Sequence, residues 1–287
     1  MTQTLKSWSI LEILKVTEAA FREKGIENPR LNAEALLADT LNTERINLYL
    51  DFEKPLKDSE ISAYREKIKR RLKHEPLQYI RGFVEFYGMR IKVNPSVLIP
   101  RQETELLVEK SIEIIAQQNN PRVLEIGTGS GCIATAVALK SDCMIDAIDI
   151  NNDALETAKE NAEINSVSGK INFINRNILA DFTDFNEYDI VISNPPYIAA
   201  SEIDSLQEEL KGFEPLRALT DNADGLTFYR KIFELACNTS HPVTILMEIG
   251  DGKKDCVEDL VRKGGFENYL FHKDMINIYR VLRATKT

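Results

Sequence analysis

The chain has 287 residues, a formal net charge of −9 and 43% hydrophobic residues, the balance of a globular protein of one large domain or one large and one small. No stretch approaches the roughly 18 consecutive apolar residues of a membrane span, and the N-terminus lacks a basic-then-apolar leader, so a cytoplasmic protein without membrane contact is expected. The acidic balance argues against specific nucleic-acid binding. Cys132, Cys143, Cys237 and Cys256 form no CxxC pair and His74, His241 and His272 lie far apart, which argues against a metal site and predicts small buried thiols.

The charge is unevenly spread: residues 1–75 carry 14 Lys/Arg against 13 Asp/Glu, and the remainder 22 against 32. Ser9 and Glu12 read as a capping box with Trp8 and Ile13 as a hydrophobic staple, opening a helix that Gly25 ends. A second helix follows Pro29, a short one covers about 43–50, and a fourth starts near Asp58 and stops before Pro76. On the fourth, Ile61, Tyr64, Ile68 and Leu72 keep helical spacing, so Arg65, Lys67, Lys69, Arg70, Arg71 and Lys73 read mostly as its solvated face, with docking to an acidic or ribosome-associated partner as the competing reading. This 1–75 bundle holds no catalytic constellation and suits substrate recognition.

Residues 76–96 break into short β-type runs, Tyr79-Ile80, Phe83 to Tyr87 and Met89 to Val93, the pattern of a β-hairpin linker. Val97 to Pro100 then leads into a helix over about 103–117. From 97 to 287 the fold expected is α/β. Apolar runs at Arg122 to Ile126, Met144 to Ile148, Ile171 to Ile174, Asp189 to Ser193, Val243 to Glu248, Tyr269 to His272 and Ile278 to Leu282 alternate with helices such as Ala154 to Asn165, Gly225 to Ala236 and Lys254 to Lys263. Alternation of this kind predicts a mostly parallel, doubly wound sheet, the last two runs forming an antiparallel edge pair.

Two stretches carry chemistry. Glu125-Ile126-Gly127-Thr128-Gly129-Ser130-Gly131 joins a strand to a helix through glycines that let a ligand approach the backbone. A dinucleotide fingerprint needs glycine where Cys132 stands, which weakens a dehydrogenase reading. The GxGxG spacing instead resembles S-adenosylmethionine methyltransferases, and Asp149, 22 residues past Gly127, ends the next strand where a carboxylate can take ribose hydroxyls. Asn194-Pro195-Pro196-Tyr197 ends another strand. Its prolines stiffen an acceptor-rich array with a flat aromatic face, suited to a planar NH2 group; an ordinary strand-ending turn is the competing reading.

Together with Pro76 to Gly82 (PLQYIRG), Val97 to Glu105 (VLIPRQETE) and Phe213 to Leu216 (FEPL), these segments resemble the PrmC/HemK family of protein glutamine N5-methyltransferases over nearly the whole chain. The resemblance implies methylation of the glutamine amide in the Gly-Gly-Gln motif of class 1 peptide chain release factors, with S-adenosylmethionine as donor and S-adenosylhomocysteine as product. It places Glu125, Gly127, Thr128, Gly129, Ser130, Gly131, Asp149, Asn177, Ile178 and Asn194 at the cofactor. Asn194, Pro195, Pro196 and Tyr197 fall at the glutamine, with Asn194, Pro195 and Tyr197 catalytic. Gln102 stands where the family often has proline, and Asn177 where it often has an acidic residue. The Asn-Pro-Pro-Tyr element is shared with enzymes that methylate exocyclic amino groups of nucleic acid bases, the alternative activity; a SAM-binding regulatory protein is a further rival outside catalysis.

Overall fold

A computed structural model describes residues 8–286, and among these the chain forms two compact units. Of the described residues, one unit comprises 8–82 together with Glu208–Phe213, and the other comprises Phe83–Gln207 and 214–286.

The first unit is helical: α1 (Ile10–Glu23), α2 (Pro29–Leu41), α3 (Arg45–Leu50), α4 (Asp58–Arg71) and α5 (Leu77–Arg81). The expected capping box is present, Glu12 N–H donating to Ser9 Oγ at 3.3 Å and Ser9 N–H to Glu12 Oε2 at 3.0 Å. Gly25, at φ +76°, takes the left-handed conformation that lets the chain leave α1. Leu14, Phe21, Leu36, Leu37 and Tyr64 meet in the centre, and the Tyr64 hydroxyl donates to the Ala33 carbonyl at 2.9 Å, so the one polar atom on that ring is satisfied. Tyr79 and Ile80, expected in an extended run, lie in α5 instead. They bury their side chains on one side of a single helical turn, and Gly82 ends it at φ +82°. The expected 76–96 linker is therefore divided: α5 belongs to the helical unit and the hairpin to the other.

Arg71 corrects the reading of the basic cluster. It is 3% exposed, and its guanidinium donates to Asn32 Oδ1 at 2.7 Å, to the Glu75 carbonyl at 3.0 Å and to Glu209 Oε1 at 2.6 Å. Arg65, Lys69, Arg70 and Lys73 remain on the exposed face.

The second unit opens with the hairpin β1 (Phe83–Phe86) and β2 (Met89–Lys92), followed by a 3₁₀ turn at Gln102–Thr104 and α6 (Glu105–Ile115). Then come β3 (Arg122–Ile126), α7 (Cys132–Lys140), β4 (Met144–Asp149), α8 (Asn152–Ile164), β5 (Ile171–Asn175) and β6 (Ile190–Ser193). After α9 (Glu208–Phe213), which groups with the helical unit, follow α10 (Leu216–Leu219), α11 (Thr227–Cys237), β7 (Val243–Glu248), α12 (Lys254–Lys263), β8 (Asn268–Lys273) and β9 (Tyr279–Lys286). The sheet order is β5-β4-β3-β6-β7-β9-β8. The first five of these run parallel and β8 and β9 form an antiparallel edge pair, as the alternation predicted; β9 lies beside β7 and β8 is outermost. β6 and β7 are buried at every position, which is why they read as unbroken apolar runs. Sequential crossovers reverse direction between β3 and β6, and there the carboxyl ends of parallel strands leave a crevice.

Among the described residues no helix is long and apolar enough to cross a membrane. Cys132 and Cys143 are buried as expected, but Cys237 and Cys256 sit on exposed faces of α11 and α12.

Candidate active site at the carboxyl edge of the sheet

At the end of β3 the chain turns through Gly127, Gly129 and Gly131, all at positive φ (72°, 54° and 74°). The first of these needs only the backbone freedom; at Gly131 space is also short, since a Cβ would stand 2.8 Å from the Ala158 Cβ of α8. The loop is pinned to β4: Gly127 and Thr128 N–H groups both donate to the Ile148 carbonyl, at 2.9 and 3.0 Å, and Gly129 N–H donates to Asp149 Oδ2 at 2.9 Å. Asp149 Oδ1 accepts from Asn151 N–H at 2.8 Å, so one carboxylate braces both the glycine loop and the start of α8 while its remaining lone pairs stay available. Burial raises the Asp149 pKa above its ordinary value.

Glu125, one residue inside β3, is 1% exposed. Its Oε2 accepts from the Thr128 hydroxyl at 2.7 Å, but Oε1 has no partner. Burial pushes this carboxyl up to about 8. A buried carboxyl oxygen without a partner is costly in a folded protein.

β6 ends beside β3, where the Ser193 hydroxyl donates to the Ile126 carbonyl at 2.9 Å. That bond places Asn194 next to the glycine loop. Pro195 is buried, and Asn194, Pro196 and Tyr197 are half-buried. Asn194 Nδ2 donates to the Thr104 hydroxyl at 3.3 Å and also hydrogen-bonds the Glu248 side chain at the end of β7, to which Thr104 bonds as well. Thr104 and Glu248 are 2% and 3% exposed, and Glu248 Oε2 has no partner. Burial pushes Glu248 up to about 7, against the opposing pull of those hydrogen bonds and of Arg280.

The Tyr197 ring lies flat against Gly250, where a Cβ would stand 2.7 Å from Cδ2, and its carbonyl abuts Gly225, where a Cβ would stand 2.3 Å away. Burial raises the Tyr197 phenol above its ordinary value. Tyr197 is thus held from two sides by glycines that sequence reading had not connected to it. Two further segments are also joined: Glu214, 6% exposed, accepts from Ile99 N–H at 3.1 Å and from Arg101 Nη2 at 2.5 Å, locking VLIPR to FEPL.

Comparison with known proteins now bears on this geometry. The PrmC N-terminal domain model matches residues 12–82 and the methyltransferase small domain model residues 102–210. A release factor glutamine methyltransferase of Geobacter sulfurreducens is 37% identical over 284 residues, covering 98% of each chain. Another, of Chlorobaculum tepidum, is 43% identical over 236 residues, covering 79% of this chain and 80% of its own. The chain belongs to the release factor glutamine methyltransferase family. A solved methyltransferase from Pyrococcus furiosus, 19% identical with a TM-score of 0.50, covers 70% of this chain and 90% of its own and shares the fold.

In this family member the expected residues Glu125 to Gly131, Asp149 and Asn194 to Tyr197 gather at one sheet edge. Asn177 and Ile178 follow β5, at the far end of the strand order. Ile178 commits its side chain to the core, and Asn177 Oδ1 already accepts from Leu179 N–H at 3.0 Å, leaving one lone pair. Sequence reading missed Thr104, Glu248, Gly225 and Gly250. A carboxylate ending the apolar run Val243 to Met247 was the one available signal, since Glu248 is the only charged residue of that strand.

Proposed function

We propose that this chain transfers the methyl group of S-adenosylmethionine to the side-chain amide nitrogen, N5, of the glutamine in the Gly-Gly-Gln motif of a class 1 peptide chain release factor, acting in the cytoplasm. The observation that carries the reading is the Ser193–Ile126 tie, which sets Asn194 against the glycine loop at the crevice between β3 and β6. The residues present fit the cofactor. Glu125 Oε1 offers a buried position without a partner, the left-handed glycines let a ligand approach the loop backbone, and Asp149 supplies carboxylate lone pairs for a diol. When bound, S-adenosylmethionine supplies an electrophilic methyl carbon on a sulfonium, and S-adenosylhomocysteine remains.

The work of the protein is to make a poor nucleophile serve. A carboxamide nitrogen has its lone pair delocalised into the carbonyl. The Asn194 Oδ1 and the Pro195 carbonyl accept from its two hydrogens, drawing density back to nitrogen and fixing its direction. Proline at 195 and 196 removes backbone freedom from this array. Tyr197 covers the face of the amide and keeps water out. Alignment then supplies most of the acceleration; as the N–C bond forms and the C–S bond breaks, the methylated nitrogen gives up one proton to water, so no histidine or lysine base is required.

The test is incubation with methyl-labelled S-adenosylmethionine and a panel of release factor, DNA and RNA. Label on the motif glutamine is expected, and Asn194→Ala reduces transfer by at least about 100-fold while still binding the cofactor. Label on nucleic-acid amino groups with none on the release factor would overturn the assignment in favour of a base methyltransferase. The helical unit, with residues 1–75 as its bulk, contributes docking of the protein substrate through the exposed Arg65, Lys69 and Lys73. Reversing Arg65 and Lys73 to glutamate is expected to raise KM for the release factor and leave cofactor affinity alone; equal loss of both contradicts that role.

A further inference from the structure

We propose that Thr104 and Glu248 are positioning residues that decide which way the Asn194 carboxamide faces, presenting its oxygen rather than its nitrogen to the substrate; the inference rests on the proposed glutamine methylation. An asparagine side chain is nearly symmetric in shape, so packing alone does not distinguish Oδ1 from Nδ2, and the choice falls to hydrogen-bond partners. Here the choice is set by chemistry. Above about pH 7, where Glu248 is ionised, its oxygens only accept, so each neighbour must show it a hydrogen. The Thr104 hydroxyl and the Asn194 amide both bond to it, and with the hydroxyl proton committed to Glu248, Thr104 Oγ1 accepts from Asn194 Nδ2 at 3.3 Å. Both hydrogens of Nδ2 are thereby used on the protein side, and Oδ1 is left for an incoming N–H.

The reversed carboxamide would set Oδ1 against a carboxylate whose Oε2 already lacks a donor, at a site 3% exposed where water cannot compensate. Glu248 is itself rigid. Its carbonyl accepts from the buried Tyr229 hydroxyl at 2.7 Å, and its main chain pairs with Val281 of β9. Thr104 is fixed by the 3₁₀ turn at Gln102–Thr104, where its N–H donates to the Arg101 carbonyl at 3.2 Å. The relay thus runs from a sheet strand, through one hydroxyl, to the group that grips the substrate.

The experiment is steady-state methylation of a release factor by wild type, Thr104→Val, Thr104→Ser, Glu248→Gln and the Val/Gln double variant, with cofactor affinity and thermal unfolding measured on each. Thr104→Val keeps the shape and loses the hydroxyl, so kcat falls about 30-fold with cofactor affinity unchanged. Thr104→Ser restores the hydroxyl and stays within about threefold of wild type. Glu248→Gln adds a donor that permits the reversed carboxamide and lowers kcat about 10-fold, and the double variant is no worse than Thr104→Val alone because both act through one bond chain. Wild-type kcat in Thr104→Val, losses that simply add in the double variant, or a parallel fall in cofactor affinity would each overturn the relay. Absence of release factor methylation by the wild type would instead remove the proposed function itself.

Discussion

Gly250→Ala puts the Tyr197 geometry to a direct test. The added Cβ would stand 2.7, 3.0 and 3.3 Å from Cδ2, Cε2 and Cγ of the ring. Carbon atoms rest comfortably at about 3.5–4.0 Å, so the ring must retreat by about 1 Å. A tyrosine ring cannot absorb that by bending, and the neighbouring carbonyl is held against Gly225. The displacement therefore appears as a tilt of the ring face proposed to cover the substrate amide. Overpacking of this kind costs about 1–3 kcal/mol of stability, which leaves the protein folded. A shift of about 1 Å at reacting groups costs up to about 100-fold in rate, so kcat is expected to fall between about 10- and 100-fold with cofactor affinity retained. The assay is single-turnover methylation of release factor alongside thermal unfolding. In a Tyr197→Ala background the same substitution has no ring to displace, and its further effect on kcat should vanish. Wild-type kcat in Gly250→Ala, or an undiminished effect in the Tyr197→Ala background, would refute the reasoning.

Other consequences follow from the same contacts. At Gly225, φ is +80° and a Cβ would meet the Tyr197 carbonyl oxygen at 2.3 Å, so Gly225→Ala combines left-handed strain of about 1–2 kcal/mol with a backbone displacement and should cost more than about 2 kcal/mol in denaturant unfolding. Glu125 has its folded pKa raised to about 8, so between its unfolded value near 4.5 and about 8 the native state holds more protons than the unfolded chain. Stability should therefore fall as pH rises from 5 to 8, by a few kcal/mol at most, and Glu125→Gln should flatten that slope in unfolding measured without cofactor. Arg71→Met strands the Asn32 oxygen, the Glu75 carbonyl and Glu209 and should destabilise by about 3 kcal/mol. Glu209→Gln should cost less than Arg71→Met, because the amide oxygen can still accept from Arg71; a loss as large as that of Arg71→Met would show that the carboxylate charge, rather than the hydrogen bond, holds the buried guanidinium.

Strands, helices and the glycine loop were legible because each rests on local chemistry. The buried runs of β3, β6 and β7, the capping box at Ser9 and the positive φ of Gly127, Gly129 and Gly131 follow from period, cap geometry and the absence of a Cβ within a few residues. Asn194-Pro195-Pro196-Tyr197 announced a strand end with acceptors for the same reason. Arg71 was misread as solvated because its position on α4 and its charge say nothing about Asn32 or Glu209, 39 and 138 residues away. Helix α5 was read as extended since a single turn of five residues is too short to show a period.

Composition and pattern by themselves determined a parallel α/β sheet, a helical segment before it, and the edge where the candidate site residues collect, since these depend on how each residue's backbone and burial preferences repeat along the chain. Tertiary structure alone decided that Thr104, Asn194 and Glu248 share a hydrogen-bonded cluster, that Glu214 joins two distant motifs, and that Gly225 and Gly250 clasp Tyr197. Those pairings span up to 144 residues, between Thr104 and Glu248, and are chosen by the strand order that brings β6 beside β3 and β7. Partners set by topology leave no period in sequence, because each is met once, across the sheet, by a residue whose neighbours in the chain touch something else.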